Sequence, residues 1–282
     1  MSIRIITDST ADMTGEFREK MIQVPLTVSF GEEEYIDGVT IDKELFYRKL
    51  ENCDSLPKTS QPSPAAFQKV YEEISEAGDQ GIVITVTSKL SGTYQCACVA
   101  AEDYPNIRVV DSLSASVGTG ILALYALRCA DEGMDLEKLA DHLEEKRKEI
   151  CVIARVETLQ YLEKGGRISK ATALAGGILN IKPVITVEDG EIAMLGKARG
   201  TKKANNLLTE QIHKAGIDYT MPLLLGYSGN SDELLGEYIE ASRSLWEGHV
   251  AQLDRTQLCS VIGTYAGPGA VAVAFFINKG DD

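Results

Sequence analysis

Histidine is scarce in this chain, with three among 282 residues, and tryptophan occurs once. A serine nucleophile needs a base within hydrogen-bond reach and an acid to orient it. His142 and His213 fall in charge-rich helical segments and His249 precedes a short strand, so hydrolysis of that kind is not expected and no catalytic residue is assigned. The chain also lacks a Gly-x-x-x-x-Gly-Lys-Ser/Thr loop and a Gly-x-Gly-x-x-Gly segment opening a helix, which removes the usual nucleotide signals. The longest apolar runs, such as Gly81–Val86 and Val271–Ile277, are far short of the roughly 20 residues of a membrane span. Positive charge is in deficit: 28 Lys and Arg against 42 Asp and Glu give a net charge of -14 and a pI near 4.8. The average field therefore repels nucleic acid and anionic membrane surfaces, and an anionic ligand must be held by local chemistry. Six scattered cysteines show no Cys-x-x-Cys spacing and no nearby histidine, so buried free thiols are expected and no metal site or cofactor. The opening residues show no basic region followed by an apolar stretch and a cleavage site, so cytoplasmic residence is the expectation.

What is present is an alternation of strand and helix signals. Strands are predicted at Ile3–Thr7, Gly81–Thr87, Ile107–Val110 and Cys151–Val156, and helices at Met13–Lys20, Thr93–Asp103, Ser116–Asp131 and Leu136–Lys148. Such alternation predicts a parallel sheet with helices on both faces. Gly81–Thr87 is nearly all apolar, as a central strand covered on both sides should be. Beyond about residue 156 the pattern changes. Pro183–Val187 and Glu191–Leu195 flank Asp189-Gly190, a hairpin signal that implies an antiparallel component. Helices are predicted at Lys202–Lys214 and Ser231–Trp246, with strands at Leu223–Gly226, Val250–Leu253 and Val271–Ile277. We therefore expect two α/β domains, 1–156 and 157–282, with a ligand cleft between them.

In a doubly wound sheet ligands collect at the carboxyl ends of the strands. Hydroxyl-rich loops sit there: Asp8-Ser9-Thr10, Thr87-Ser88-Lys89-Leu90-Ser91-Gly92-Thr93 and Asp111-Ser112-Leu113-Ser114. Pro57–Pro64 forms a fourth, with Ser63 as N-cap and Pro64 as the first residue of a helix. Ser91-Gly92-Thr93 at a helix start offers a hydroxyl and free N–H groups to a singly charged carboxylate, or Ser91 simply caps the helix. Asp8 and Asp111 are expected to tie down loop backbone. Lys164-Gly-Gly-Arg167-Ile-Ser169 sets two cations around a glycine pair, readable as a helix stop or as a dock for an acidic partner.

Taken in order, Ile5-Ile-Thr-Asp-Ser-Thr-Ala-Asp12, Lys58-Thr-Ser-Gln-Pro-Ser63, Leu90-Ser-Gly-Thr-Tyr-Gln95, Val110-Asp-Ser112, Leu162-Glu-Lys-Gly-Gly-Arg-Ile168, Ile181-Lys-Pro183 and Gly267-Pro-Gly269 resemble the successive motifs of the DegV family. The resemblance spans almost the whole chain. It implies a three-layer parallel α/β domain followed by an α/β domain with a mixed sheet, and a non-catalytic lipid carrier. A long-chain, palmitate-like fatty acid would lie between the domains, its carboxylate held by Thr59 and Ser91. Some members are carrier subunits that present the acyl chain to an ATP-using fatty-acid kinase, which implies such a partner here, with Arg167 in an exposed docking loop outside the head-group site. Kinase-linked members carry a histidine near the C-terminal Gly-Pro-Gly where this chain has Tyr265. A phenol can donate one hydrogen bond but does not become cationic, so Tyr265 is a candidate head-group donor. The alternative is a subunit of an enzyme acting on a small polar substrate, by analogy with dihydroxyacetone-kinase-like folds.

Overall fold

The computed structural model describes residues 2–168 and 180–279, so Ser169 of the basic segment lies outside the described residues. The chain opens with β1 (Ile3–Asp8), a short α1 (Gly15–Arg18) and β2 (Ile22–Val24), parallel to β1. It then leaves this sheet. A hairpin of β3 (Thr27–Phe30) and β4 (Glu33–Ile36) precedes α2 (Lys43–Asn52), and β5 (Lys58–Ser60) pairs antiparallel with the other side of β3. Strands of three or four residues show too little alternation to be read from sequence, and this small sheet was not expected. The next helix, α3 (Pro64–Glu76), begins as predicted, with Ser63 Oγ accepting from the Ala66 N–H at 3.3 Å. There follow β6 (Gln80–Thr85), α4 (Thr93–Ala101), β7 (Ile107–Asp111), α5 (Val117–Asp131) and α6 (Leu136–Lys146). The four parallel strands take the order β2-β1-β6-β7, with the apolar β6 inside the sheet as expected.

The strand after α6 departs from expectation. β8 (Ile150–Arg155) does not extend the parallel sheet: it pairs antiparallel with strands of the second half. An apolar run shows that a strand is buried, not which sheet buries it. After α7 (Gln160–Gly165) come β9 (Ile181–Glu188) and β10 (Glu191–Arg199), joined at Asp189 and Gly190, both with positive φ as the hairpin signal requires. The rest comprises α8 (Thr201–Ala215), β11 (Leu224–Tyr227), α9 (Glu233–Ala241), β12 (Arg255–Gln257), α10 (Ser260–Ala266) and β13 (Val271–Phe276). The strand expected at Val250–Leu253 is absent, and its place is taken by the more polar β12. Six strands form a mixed sheet of order β10-β9-β8-β13-β11-β12, parallel only between β11 and β12.

The two large sheets share α5. Its first seven residues, Val117 to Ala123, are all buried, because one side packs on β1 and β6 and the other on β8, β11 and β13. A helix apolar all round is what such a middle layer needs. Glycine permits the close approach: a Cβ on Gly118 would lie 2.3 Å from Val152 Cγ2, and one on Gly120 2.0 Å from the Asp12 carbonyl oxygen. The helices α3 and α4 cover the outer face of the parallel sheet, and α8 and α9 that of the mixed sheet.

Candidate functional site

The carboxyl-end loops of the parallel sheet face the mixed sheet and α10 across a cavity of about 390 Å³, within the roughly 300–1,000 Å³ of small-molecule sites. Its walls are mostly aliphatic: Leu26, Val86 and Leu90 from the first half, Val152, Ala154 and Val156 from β8 and its end, Ile185 and Val187 from β9, and Ile262 and Ala266 from α10. Thr186, also in the wall, spends its hydroxyl on the Val152 carbonyl at 2.8 Å. Thr59, Ser91, Tyr265 and Arg167, from four separate segments, all line this one cavity, together with Gln61.

Their local bonds allow two of the hydroxyls to act as donors. Thr59 Oγ1 and Tyr265 Oη are 2.5 Å apart, and Ser91 Oγ is 2.8 Å from Thr93 Oγ1. Thr93 is fully buried. If Thr93 donates to Ser91, and Tyr265 to Thr59, the Ser91 and Thr59 protons are free to point at an acceptor in the cavity. Ser91 also accepts from the Thr93 N–H at 3.3 Å, closing a turn just ahead of α4. It lines the cavity but is not the N-cap of α4, a position taken by Gly92 without a side-chain cap bond. Gly92 lets Gln61 come close, since a Cβ there would lie 2.3 Å from Gln61 Oε1. Gln61 sits in the Thr-Ser-Gln-Pro segment, and its reach to the Cys96 sulfur at 2.9 Å is not visible in local sequence.

Arg167 is not where the resemblance led us to expect it. Its guanidinium lies over the Tyr265 ring, 4.9 Å from the centroid, with Nη1 on the Gly165 carbonyl at 2.5 Å and Nε on the Leu90 carbonyl at 3.4 Å. It is partly buried and belongs to the cavity wall, not to an exposed loop outside it. Gly165 makes the stack feasible, because a Cβ there would sit 2.5 Å from Tyr265 Cδ1. The glycine pair therefore does more than stop α7.

The aspartates read as backbone ties are such ties. Asp8 accepts from the Thr10 N–H at 2.9 Å and the Val86 N–H at 2.7 Å, and Asp111 from the N–H groups of Ser88 and Leu113. Burial raises the Asp8 carboxyl above its ordinary value. Asp12 is pushed up to about 6 by burial, against the pull of Lys43 at 3.8 Å and of bonds from Ser116 Oγ and the Cys259 N–H, both 2.8 Å. None of the histidines lines the cavity: His142 meets the Tyr125 hydroxyl and His249 stacks on Tyr219. All six cysteines are free, but the expectation that they are buried holds only for Cys129 and Cys259, the other four being partly exposed. Among the described residues no group of His, Cys, Asp and Glu is arranged to hold a metal, and no helix is long and apolar enough to cross a membrane.

A family model described as "Uncharacterised protein, DegV family" matches residues 2–278. A DegV domain-containing protein of Caldanaerobacter subterraneus is 38% identical over 277 residues, covering 97% of this chain and 98% of that protein. A Thermus thermophilus structure described as fatty acid binding of a DegV family protein superposes with a TM-score of 0.88 at 32% identity, covering 99% and 100% of the two chains. A stearic acid-binding protein of Eubacterium ventriosum superposes with a TM-score of 0.86 at 29% identity over 98% of each chain.

Proposed function

The chain belongs to the DegV family, and we propose that it binds a long-chain fatty acid in the cavity between its sheets and acts as a carrier without catalytic chemistry of its own. The observation that carries this reading is one mostly aliphatic cavity lined also by Thr59, Ser91, Tyr265 and Arg167, in which Tyr265 joins Thr59 to Arg167 and Arg167 reaches the Leu90 carbonyl beside Ser91. An aliphatic tail gains about 0.8 kcal/mol for each buried CH2. The carboxylate, costly to bury unpaired, finds two hydroxyl donors and a nearby guanidinium. Structural relatives described as binding fatty acids support the same ligand class. A small polar substrate would leave the aliphatic walls without a partner.

Under this reading Arg167 serves the head group, its positive charge offsetting that of the carboxylate in a protein that is strongly acidic overall. A fatty-acid kinase partner working in the cytoplasm would then approach the cavity at Arg167, where the acyl carboxylate waits, and any phosphoryl transfer would belong to that partner. Docking at Arg167 and head-group binding are compatible, because both concern that part of the cavity. Mass spectrometry of the organic extract of purified protein tests the ligand: a C14–C18 fatty acid near one per chain is expected. No acyl chain in the extract, with no uptake of added palmitate, would refute the proposal.

A further inference from the structure

Tyr265 stands near the end of α10, and the start of that helix is gripped by two carboxylates outside the cavity. Asp12 Oδ1 accepts from the Cys259 N–H at 2.8 Å, and Asp37 Oδ1 from the Ser260 N–H at 3.1 Å. Both aspartates are buried, at 3% exposure each. They satisfy N–H groups that a helix start otherwise leaves unpaired. The middle of α10 lies flat on α2: a Cβ on Gly263 would sit 2.6 Å from Phe46 and 2.7 Å from the Tyr47 hydroxyl. Asp37 directly follows β4, and Thr59 lies in β5 of the same small sheet. One rigid sheet therefore holds α10 twice, at its first turn through Asp37 and at its last through the Thr59–Tyr265 bond.

We propose that Asp37, aided by Asp12, is a positioning residue for the head-group site: by fixing the first turn of α10 it sets the place of Tyr265 and so the strength of carboxylate binding. Tyr265 stands five positions after Ser260, about 7.5 Å along the helix, so a slip or tilt at the first turn is carried along the same short helix toward the Tyr265 hydroxyl. Among the described residues neither Asp37 Oδ2 nor Ser260 Oγ, both buried, has a hydrogen-bond partner, so the Asp37 Oδ1 bond is the tie that this corner rests on.

The inference rests on the fatty-acid reading, and a double-mutant cycle separates the two. Palmitate affinity is measured by calorimetry for wild type, Asp37→Ala, Asp37→Asn, Tyr265→Phe and the Asp37→Ala/Tyr265→Phe pair. Asp37→Ala should bind about tenfold more weakly, a change of about 1.4 kcal/mol. Asp37→Asn, which keeps an acceptor for the Ser260 N–H, should recover most of that loss, and Asp37→Ala should add little once Tyr265 is Phe. Equal losses in both Tyr265 backgrounds would overturn the positioning role while leaving the ligand reading intact. Hydrogen exchange of 260–266 in ligand-free protein reads the grip directly: it should rise in Asp37→Ala and return in Asp37→Asn, and unchanged exchange would also overturn the proposal. Should Asp37→Ala not fold, Asp12→Ala, which frees the Cys259 N–H, replaces it in the same cycle.

Discussion

The Arg167 guanidinium stacks on the Tyr265 ring at 4.9 Å while the hydroxyl of that ring is bonded to Thr59 at 2.5 Å. A residue expected to face a partner is thus joined, through one aromatic side chain, to a residue expected to hold a ligand.

Arg167→Ala should therefore weaken fatty-acid binding as well as any kinase stimulation. Cation–π contacts contribute roughly 0.5–2 kcal/mol, and loss of the nearby charge adds to this, so a fall of about 3- to 30-fold in palmitate affinity is expected by displacement of a fluorescent fatty acid. Undiminished affinity would return Arg167 to a purely external role.

Tyr265→Phe removes the partner of Thr59 and leaves the ring under Arg167. A lost hydrogen bond of this kind costs roughly 0.5–1.5 kcal/mol, so affinity should fall by up to about tenfold with the fold intact. Equal affinity would mean that Thr59 is oriented without the phenol.

Gly165→Ala tests the placement of the ring. Gly165 ends α7 with no left-handed φ, so alanine meets no backbone strain there, but the new methyl would lie 2.5 Å from Tyr265 Cδ1 and the ring must shift. Palmitate affinity should fall, with a smaller loss of thermal stability. Undiminished palmitate binding by the folded variant would contradict the part given to the stack.

The pH dependence of stability carries a signature of Asp12. Its folded value, about 6, lies above the ordinary 3.8, so between these values the folded state holds more protons than the unfolded one. Stability then decreases as pH rises through that window. Asp12→Asn removes this contribution while keeping an acceptor for the Cys259 N–H. Urea unfolding at pH 4 to 7 should show wild type losing stability relative to Asp12→Asn as pH rises, and a constant difference would contradict the assignment.

Much of this was legible in the sequence for a definite reason. Ser91, Asp8 and Asp111 follow parallel strands, and parallel topology delivers such loops to one edge. Pro64 and the Asp189-Gly190 pair mark their helix and hairpin through backbone restrictions that act locally. What escaped depends on distant contact. Thr59 and Tyr265 meet across 206 positions, and the Arg167 stack needs Gly165, whose missing side chain says nothing in advance about what fills its place. β8 joins the second sheet against expectation because the run Cys151–Val156 would look equally apolar in either. The β3–β4–β5 sheet, which carries Thr59 and Asp37, was too short in every strand to announce itself.

The central claim is that Thr59 and Ser91 hold one carboxylate, and calorimetry of palmitate against wild type, Thr59→Ala, Ser91→Ala and the double variant tests it most directly. Hydrogen bonds to a charged group contribute about 1.5–3 kcal/mol, so each single variant should bind about 10- to 150-fold more weakly. The double loss should be less than the sum, and hexadecanol, which lacks the charge, should respond little to either substitution. Folded Thr59→Ala and Ser91→Ala proteins that bind palmitate as tightly as wild type would contradict the account.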